Sequence, residues 1–142
     1  MPQPIATLLN ARWIVPVEPE GQVLEHHALA IEEGRILALL PQVEAAVRYR
    51  AATCLNFDHH VLLPGLINAH THASMTLLRG FADDLPLMRW LQEHIWPAET
   101  RWVDPDFVRD GSRLAMAEML RGGVTCFNDM YFFPEVTAAV AR

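Results

Sequence analysis

The chain is short of the features that would restrict it to a special class. It has two cysteines, Cys54 and Cys126, far apart and outside any Cys-x-x-Cys pair. Two are too few for a disulfide framework, so both read as free thiols of a reducing compartment. No run approaches the ~18 apolar residues that a membrane span needs. The opening stretch, MPQPIATLLNARW, has no basic segment ahead of a long apolar core and does not read as a secretory signal. The expected location is the cytoplasm, with no membrane partner. Positive charge is scarce as well: 11 Lys and Arg against 17 Asp and Glu leave a net charge of −6. That balance argues against a nucleic-acid surface, where clustered Lys and Arg are expected. There is no internal repeat, low-complexity tract or flexible linker. What is present is ordinary for a globular domain: 142 residues, 51% apolar and 20% charged.

The pattern changes near residue 60. Before it, short strands are expected. TLLNARWIVPV, from Thr7 to Val17, is apolar and β-favouring and is closed by Pro16 and Pro19. HALAIEEGRILALL holds two apolar runs around Glu33-Gly34, which is a hairpin signal. TCLNFDHHVLL reads as another strand. Residues 1–60 are therefore a small β-rich module, marginal on its own at that size.

Residues 61–142 alternate differently. VLLPGLINAHTH reads as a buried strand, because Leu66, Ile67 and Ala69 leave no polar face until its end. Asp83 or Asp84 offers an N-cap ahead of Pro86, and Leu87, Trp90, Leu91, His94 and Ile95 recur at helical spacing until Pro97 stops the helix. Asp104-Pro105 starts a second helix, with Val108, Ser112, Ala115 and Met119 on one face and Gly122-Gly123 at its end. VTCFNDMYF reads as a second strand and PEVTAAVAR as the start of another helix. Strand, helices, strand, helix implies an α/β fold with parallel strands joined by crossovers. Two such strands make too small a sheet to bury. A closed eight-stranded barrel needs roughly 250 residues, so the 142 residues are expected to be the first part of a longer polypeptide.

Chemistry concentrates at the end of the first of these strands. In a strand, side chains alternate faces, so His70 and His72 point the same way about 6.5 Å apart at Cα. Two imidazoles at that spacing can converge on one ion. Their place at the carboxyl end of an apolar strand is where α/β sites gather. The adjacent pairs His26-His27 and His59-His60 point to opposite faces and are expected to be solvated. His94 and Trp90 fall at helical spacing and read first as packing residues, with a pocket role as the alternative. Glu99 alone reads first as a solvent carboxylate. Its alternative is to face the strand-end cleft and accept hydrogen bonds from sugar hydroxyls. Asp129 is placed either to reach the site or to cap the next helix.

PGLINAHTH, from Pro64 to His72, resembles the first barrel strand of the amidohydrolase superfamily. HASMTLLRGFADDLPLMRWLQEHIWPAE, from His72 to Glu99, is similar to the subgroup of deaminases acting on 5′-methylthioadenosine and S-adenosylhomocysteine. Aminohydrolases and chlorohydrolases of triazines lie near that subgroup. GGVTCFNDMYF resembles the second barrel strand. The resemblance implies a small β-sandwich, begun by residues 1–60, and the first βα units of a (β/α)8 TIM barrel over residues 61–142. It implies that His70 and His72 are metal ligands and that Glu99 binds the ribose hydroxyls of a nucleoside. It implies one divalent ion, zinc first, although such ligands also suit iron or nickel. It further implies hydrolytic release of ammonia by attack at C6 of adenine. The small-molecule partner is then a nucleoside, and a homo-oligomer is expected because this family is often oligomeric. The further ligands and the acid–base glutamate of that family have no counterpart in these residues, so no catalytic acid–base group is assigned and the chain alone is expected to be inactive. Guanine-type or chlorotriazine rings, and an inactive fragment, are the alternatives.

Overall fold

Glu33 and Gly34 both adopt positive φ, 49° and 71°. Those are the signs a type I′ hairpin turn requires at its two central residues. The turn joins β2 (Leu24–Glu32) to β3 (Arg35–Pro41) in antiparallel register. The computed structural model describes all residues, 1–142, and divides them into two compact units, Met1–Pro64 and Gly65–Arg142.

In the first unit, β1 (Gln3–Ile14) pairs antiparallel with β2 and parallel with β4 (Tyr49–Leu62), giving the order β3-β2-β1-β4. The parallel pairing needs a crossover, and part of it is a helix absent from the sequence expectation, α1 (Gln42–Arg48). Its signals are local but short: Glu44 in the first turn and Arg48 in the last complement the helix dipole. The core joins Ile5, Leu8, Ala28, Ala30, Leu40, Ala45 and Tyr49. Three of these are alanines, so little apolar area is buried for the number of residues ordered.

In the second unit, β5 (Leu66–Thr71) and β6 (Val124–Asp129) form a two-stranded parallel sheet, as the alternating pattern implies. Between them run a 3-10 turn (Ala73–Leu78), a helical stretch from Leu87 to Trp102, and α4 (Pro105–Arg121); α5 (Pro134–Val140) follows. α4 begins and ends where expected. Asp104 accepts from the Phe107 N–H at 2.7 Å, Pro105 opens the helix, and Gly123 leaves it at φ 79°. Val108, Ser112 and Ala115 are buried.

Three expectations need correction. Pro97 does not stop its helix. The stretch is α2 (Leu87–Arg89), a π-helical segment (Trp90–Ile95) and α3 (Trp96–Trp102) in succession. The Trp96 N–H bonds Leu91 O, five residues back. That wider turn places Pro97 in the first turn of a fresh α segment, where no N–H is needed. Neither Asp83 nor Asp84 caps this stretch: Pro86 holds the N-cap position, and Asp84 lies in a turn at φ 62°. Finally, β5 is not buried. Leu66 is 50% and Ile67 71% exposed, on opposite faces, because β5 has β6 as its only sheet partner and no second layer covers either residue. No helix is long and apolar enough to cross a membrane.

Candidate functional site

Parallel pairing brings the carboxyl ends of β5 and β6 to one edge, with Thr71 opposite Asp129. The chain stays tied beyond both strands. The Met130 N–H donates to Thr71 O at 3.0 Å, and Asp129 Oδ1 accepts from the Ala73 N–H at 2.8 Å. Asp129 thus neither lines the site nor caps α5; it fixes the residue that follows His72. That leaves His72 one position past β5, held from both sides.

The His72 ring is held too. Its Nδ1 lies 2.5 Å from the Met130 carbonyl oxygen. A carbonyl only accepts, so Nδ1 donates its N–H there and Nε2 is the nitrogen left for a metal. A ligating histidine has this arrangement, one nitrogen anchored by its N–H and the other free for a metal. His70 is exposed at the end of β5, and its ring stands 5.2 Å from that of His72 at 85°. Two imidazoles on one tetrahedral ion, each about 2.0–2.1 Å away, have ring centres about 5 Å apart. The pair therefore fits two positions of such a site. No group of three or more His, Cys, Asp or Glu side chains converges here.

Glu99 reaches the same region from α3. Tyr131 donates its hydroxyl to Glu99 Oε1 at 2.9 Å. Burial first, then that bond and the negative charges of Glu99 and Asp129, push the Tyr131 pKa above its ordinary value, so the phenol stays protonated and remains a donor. His72, Glu99 and Tyr131 line one cleft of about 410 Å3, whose remaining walls are Met75, Trp90, Leu91, Ile95, Trp96, Met130 and Phe132. That volume is within the range of small-molecule sites, and the composition matches: apolar and aromatic walls with a few polar groups.

The structure thus places His72 and Glu99 on one cleft, with His70 beside His72 but not among the lining residues. Glu99 sits within a helix rather than at a helix end. Trp90 faces the cleft, whereas His94 packs edge-on against Phe81 at 6.3 Å. His26, His59 and His60 are exposed, as expected. Tyr131 and Met130 were missed. The signal for them was position: MYFF follows the second strand, which ends at Asp129, and so falls at the same strand end as the histidines.

Comparison with known proteins gives the arrangement relatives. Residues 61–142 match the profile of the amidohydrolase family. A 5-methylthioadenosine/S-adenosylhomocysteine deaminase of Saccharophagus degradans is 52% identical over 138 residues, 97% of this chain and 31% of that protein. The crystal structure of an adenosine deaminase from Xanthomonas campestris with bound zinc superposes with a TM-score of 0.95 at 55% identity, covering 99% of this chain and 32% of that one. The zinc complex of an atrazine chlorohydrolase from Arthrobacter aurescens shares the fold at 22% identity, with a TM-score of 0.82 over 95% of this chain and 33% of its own. The chain therefore spans about a third of the length of the relatives it matches.

Proposed function

We propose, for a chain that belongs to the amidohydrolase family, that it supplies the β-rich opening and first βα units of a (β/α)8 metal-dependent hydrolase that deaminates adenosine derivatives. 5′-Methylthioadenosine and S-adenosylhomocysteine are the substrates we assign first. The observation that carries this reading is the shared cleft. His72, whose ring is anchored for ligation, and Glu99, a carboxylate with a hydroxyl donor already on one oxygen, face the same aromatic-walled space.

In this reading His70 and His72 hold one divalent ion, zinc first. When bound, the ion lowers the pKa of a water toward ~7 and so provides the nucleophile for a C–N bond. The chain's own residues bind and orient. Glu99 accepts hydrogen bonds from the ribose hydroxyls. Trp90 and the neighbouring aromatic walls take the flat heterocycle and keep bulk water from it. The Met130 carbonyl keeps the proton of His72 on Nδ1. Catalytic zinc usually has three protein ligands, so we place the remaining ligands and the proton-shuttling carboxylate outside these residues. The exposed, unpaired thiols of Cys54 and Cys126 support a cytoplasmic setting.

One assay tests the reading. The zinc-loaded full-length protein is incubated with 5′-methylthioadenosine, S-adenosylhomocysteine, adenosine, guanine and a chlorotriazine, and ammonia and chloride are followed. Ammonia from the adenosine derivatives is expected. Its absence from all of them, or release from guanine or chloride from the triazine alone, overturns the assignment.

A further inference from the structure

We propose that Tyr131 is a positioning residue for substrate specificity, holding Glu99 in the orientation that reads a vicinal diol. The inference deepens the reading of Glu99 as the ribose acceptor and rests on it.

Three successive residues, the last of β6 and the two after it, each hold a different group at or beside the cleft. Asp129 holds the Ala73 N–H, Met130 holds the His72 ring, and Tyr131 holds the Glu99 carboxylate. The same short segment thus spaces the histidine half of the site from the carboxylate half. Tyr131 is itself fixed between aromatic neighbours, its ring 5.1 Å from that of Phe132 and 6.2 Å from that of His72.

The chemistry of the acceptor explains why a fixed tyrosine matters. A free glutamate rotates about its side-chain bonds, and its two oxygens can accept from several directions. The Tyr131 hydroxyl on Oε1 restrains rotation of the carboxylate, and Oε2, which no protein group bonds, is left for an incoming ligand. Two adjacent hydroxyls need such a plane, because both must find lone pairs at once. A single hydroxyl, or none, makes no such demand. Burial and the charges of Glu99 and Asp129 keep the phenol protonated, so the donor is present throughout the neutral pH range.

The test uses the zinc-loaded full-length protein and two matched substrates, adenosine and 2′,3′-dideoxyadenosine. Tyr131→Phe keeps the ring and removes the hydroxyl. It is expected to raise KM for adenosine about tenfold, the lower end for a hydrogen bond to a charged group, with kcat within about twofold. The kcat/KM for the dideoxy substrate is expected to stay unchanged, which also reports that the variant is folded. In a Glu99→Ala background, which has no acceptor for the hydroxyl, the tyrosine substitution is expected to add nothing, because Tyr131 acts through Glu99. An equal fall on both substrates, an unchanged adenosine KM, or full additivity with Glu99→Ala overturns the proposal. If instead Glu99→Gln leaves the preference for adenosine over its dideoxy analogue intact, the ribose reading of Glu99 fails first and this inference falls with it.

Discussion

His72 has little freedom left. Its backbone is pinned by the neighbouring Thr71–Met130 and Ala73–Asp129 bonds, and its Nδ1 is spent on a carbonyl. The His70 ring has no such anchor: it is exposed, makes no hydrogen bond and stands edge-on to His72. Both still enter the proposed ion site, so His70→Ala is expected to lower bound zinc and activity together in the full-length protein. The fall in zinc affinity should exceed about 100-fold, beyond what losing an outer partner costs. Elemental analysis of the purified variant checks it, and normal zinc content removes the ligand assignment. Glu99→Gln should act differently, raising the nucleoside KM about tenfold with metal content unchanged, as steady-state kinetics and the same elemental analysis will report. The histidine pair was legible in the sequence because a spacing of two in a strand is a local rule. The Glu99–Tyr131 bond was not, because it joins residues 32 apart and depends on where β6 ends. The bare residues favoured a solvent role for Glu99, since nothing within a few positions of it supplies a donor.

Among the elements, legibility followed how local the controlling signal is. The limits of α4 were readable because Asp104, Pro105 and the Gly122-Gly123 pair act within a turn of the helix ends. Asp104→Ala removes the bond to the Phe107 N–H and should cost about 1 kcal/mol of stability, measurable by urea unfolding. Pro97 misled because the rule that proline ends a helix assumes an α turn before it. The π segment supplies a wider one, and it also carries Trp90 onto the cleft wall. The packing of α4 on the turn after His72 was not readable at all. A Cβ on Gly111 would lie 2.5 Å from the Ser74 carbonyl oxygen. That contact leaves room for a buried hydroxyl cluster in which Ser112 is 3.1 Å from Ser74 and 3.3 Å from Thr137. The obstacle is backbone and cannot swing aside. Gly111→Ala should therefore destabilise the second unit by about 1–3 kcal/mol, the range for overpacking. It should also disturb the site, since Ser74 lies two residues from His72. Unfolding measurements that show a neutral or stabilising change would mean that the helix and turn can separate freely.

At the scale of the whole molecule, each unit leaves apolar strand surface without a covering layer. In the second unit, Leu66 and Ile67 are exposed on β5, and β5 and β6 each have one unpaired edge. In the first, Ile36, Leu37 and Leu39 of β3 and Leu55 of β4 are exposed, and both strands are edges of their sheet. A two-stranded parallel sheet is not stable without layers on its faces. Apolar residues and open edges together are the combination that natural proteins cover or blunt. The relatives, about three times as long, have the residues to do so. These surfaces lead to a prediction about the 142-residue polypeptide produced by itself. It should bind a hydrophobic dye strongly and self-associate at concentrations where the full-length protein does neither. Its zinc binding should be weak, because two imidazoles fall one short of the usual protein set. Dye fluorescence, sedimentation velocity and zinc titration of the two polypeptides side by side provide the comparison. A 142-residue polypeptide that stays monomeric, excludes the dye and binds zinc as tightly as the full-length protein would show that these strands need no further layer and that the two histidines suffice.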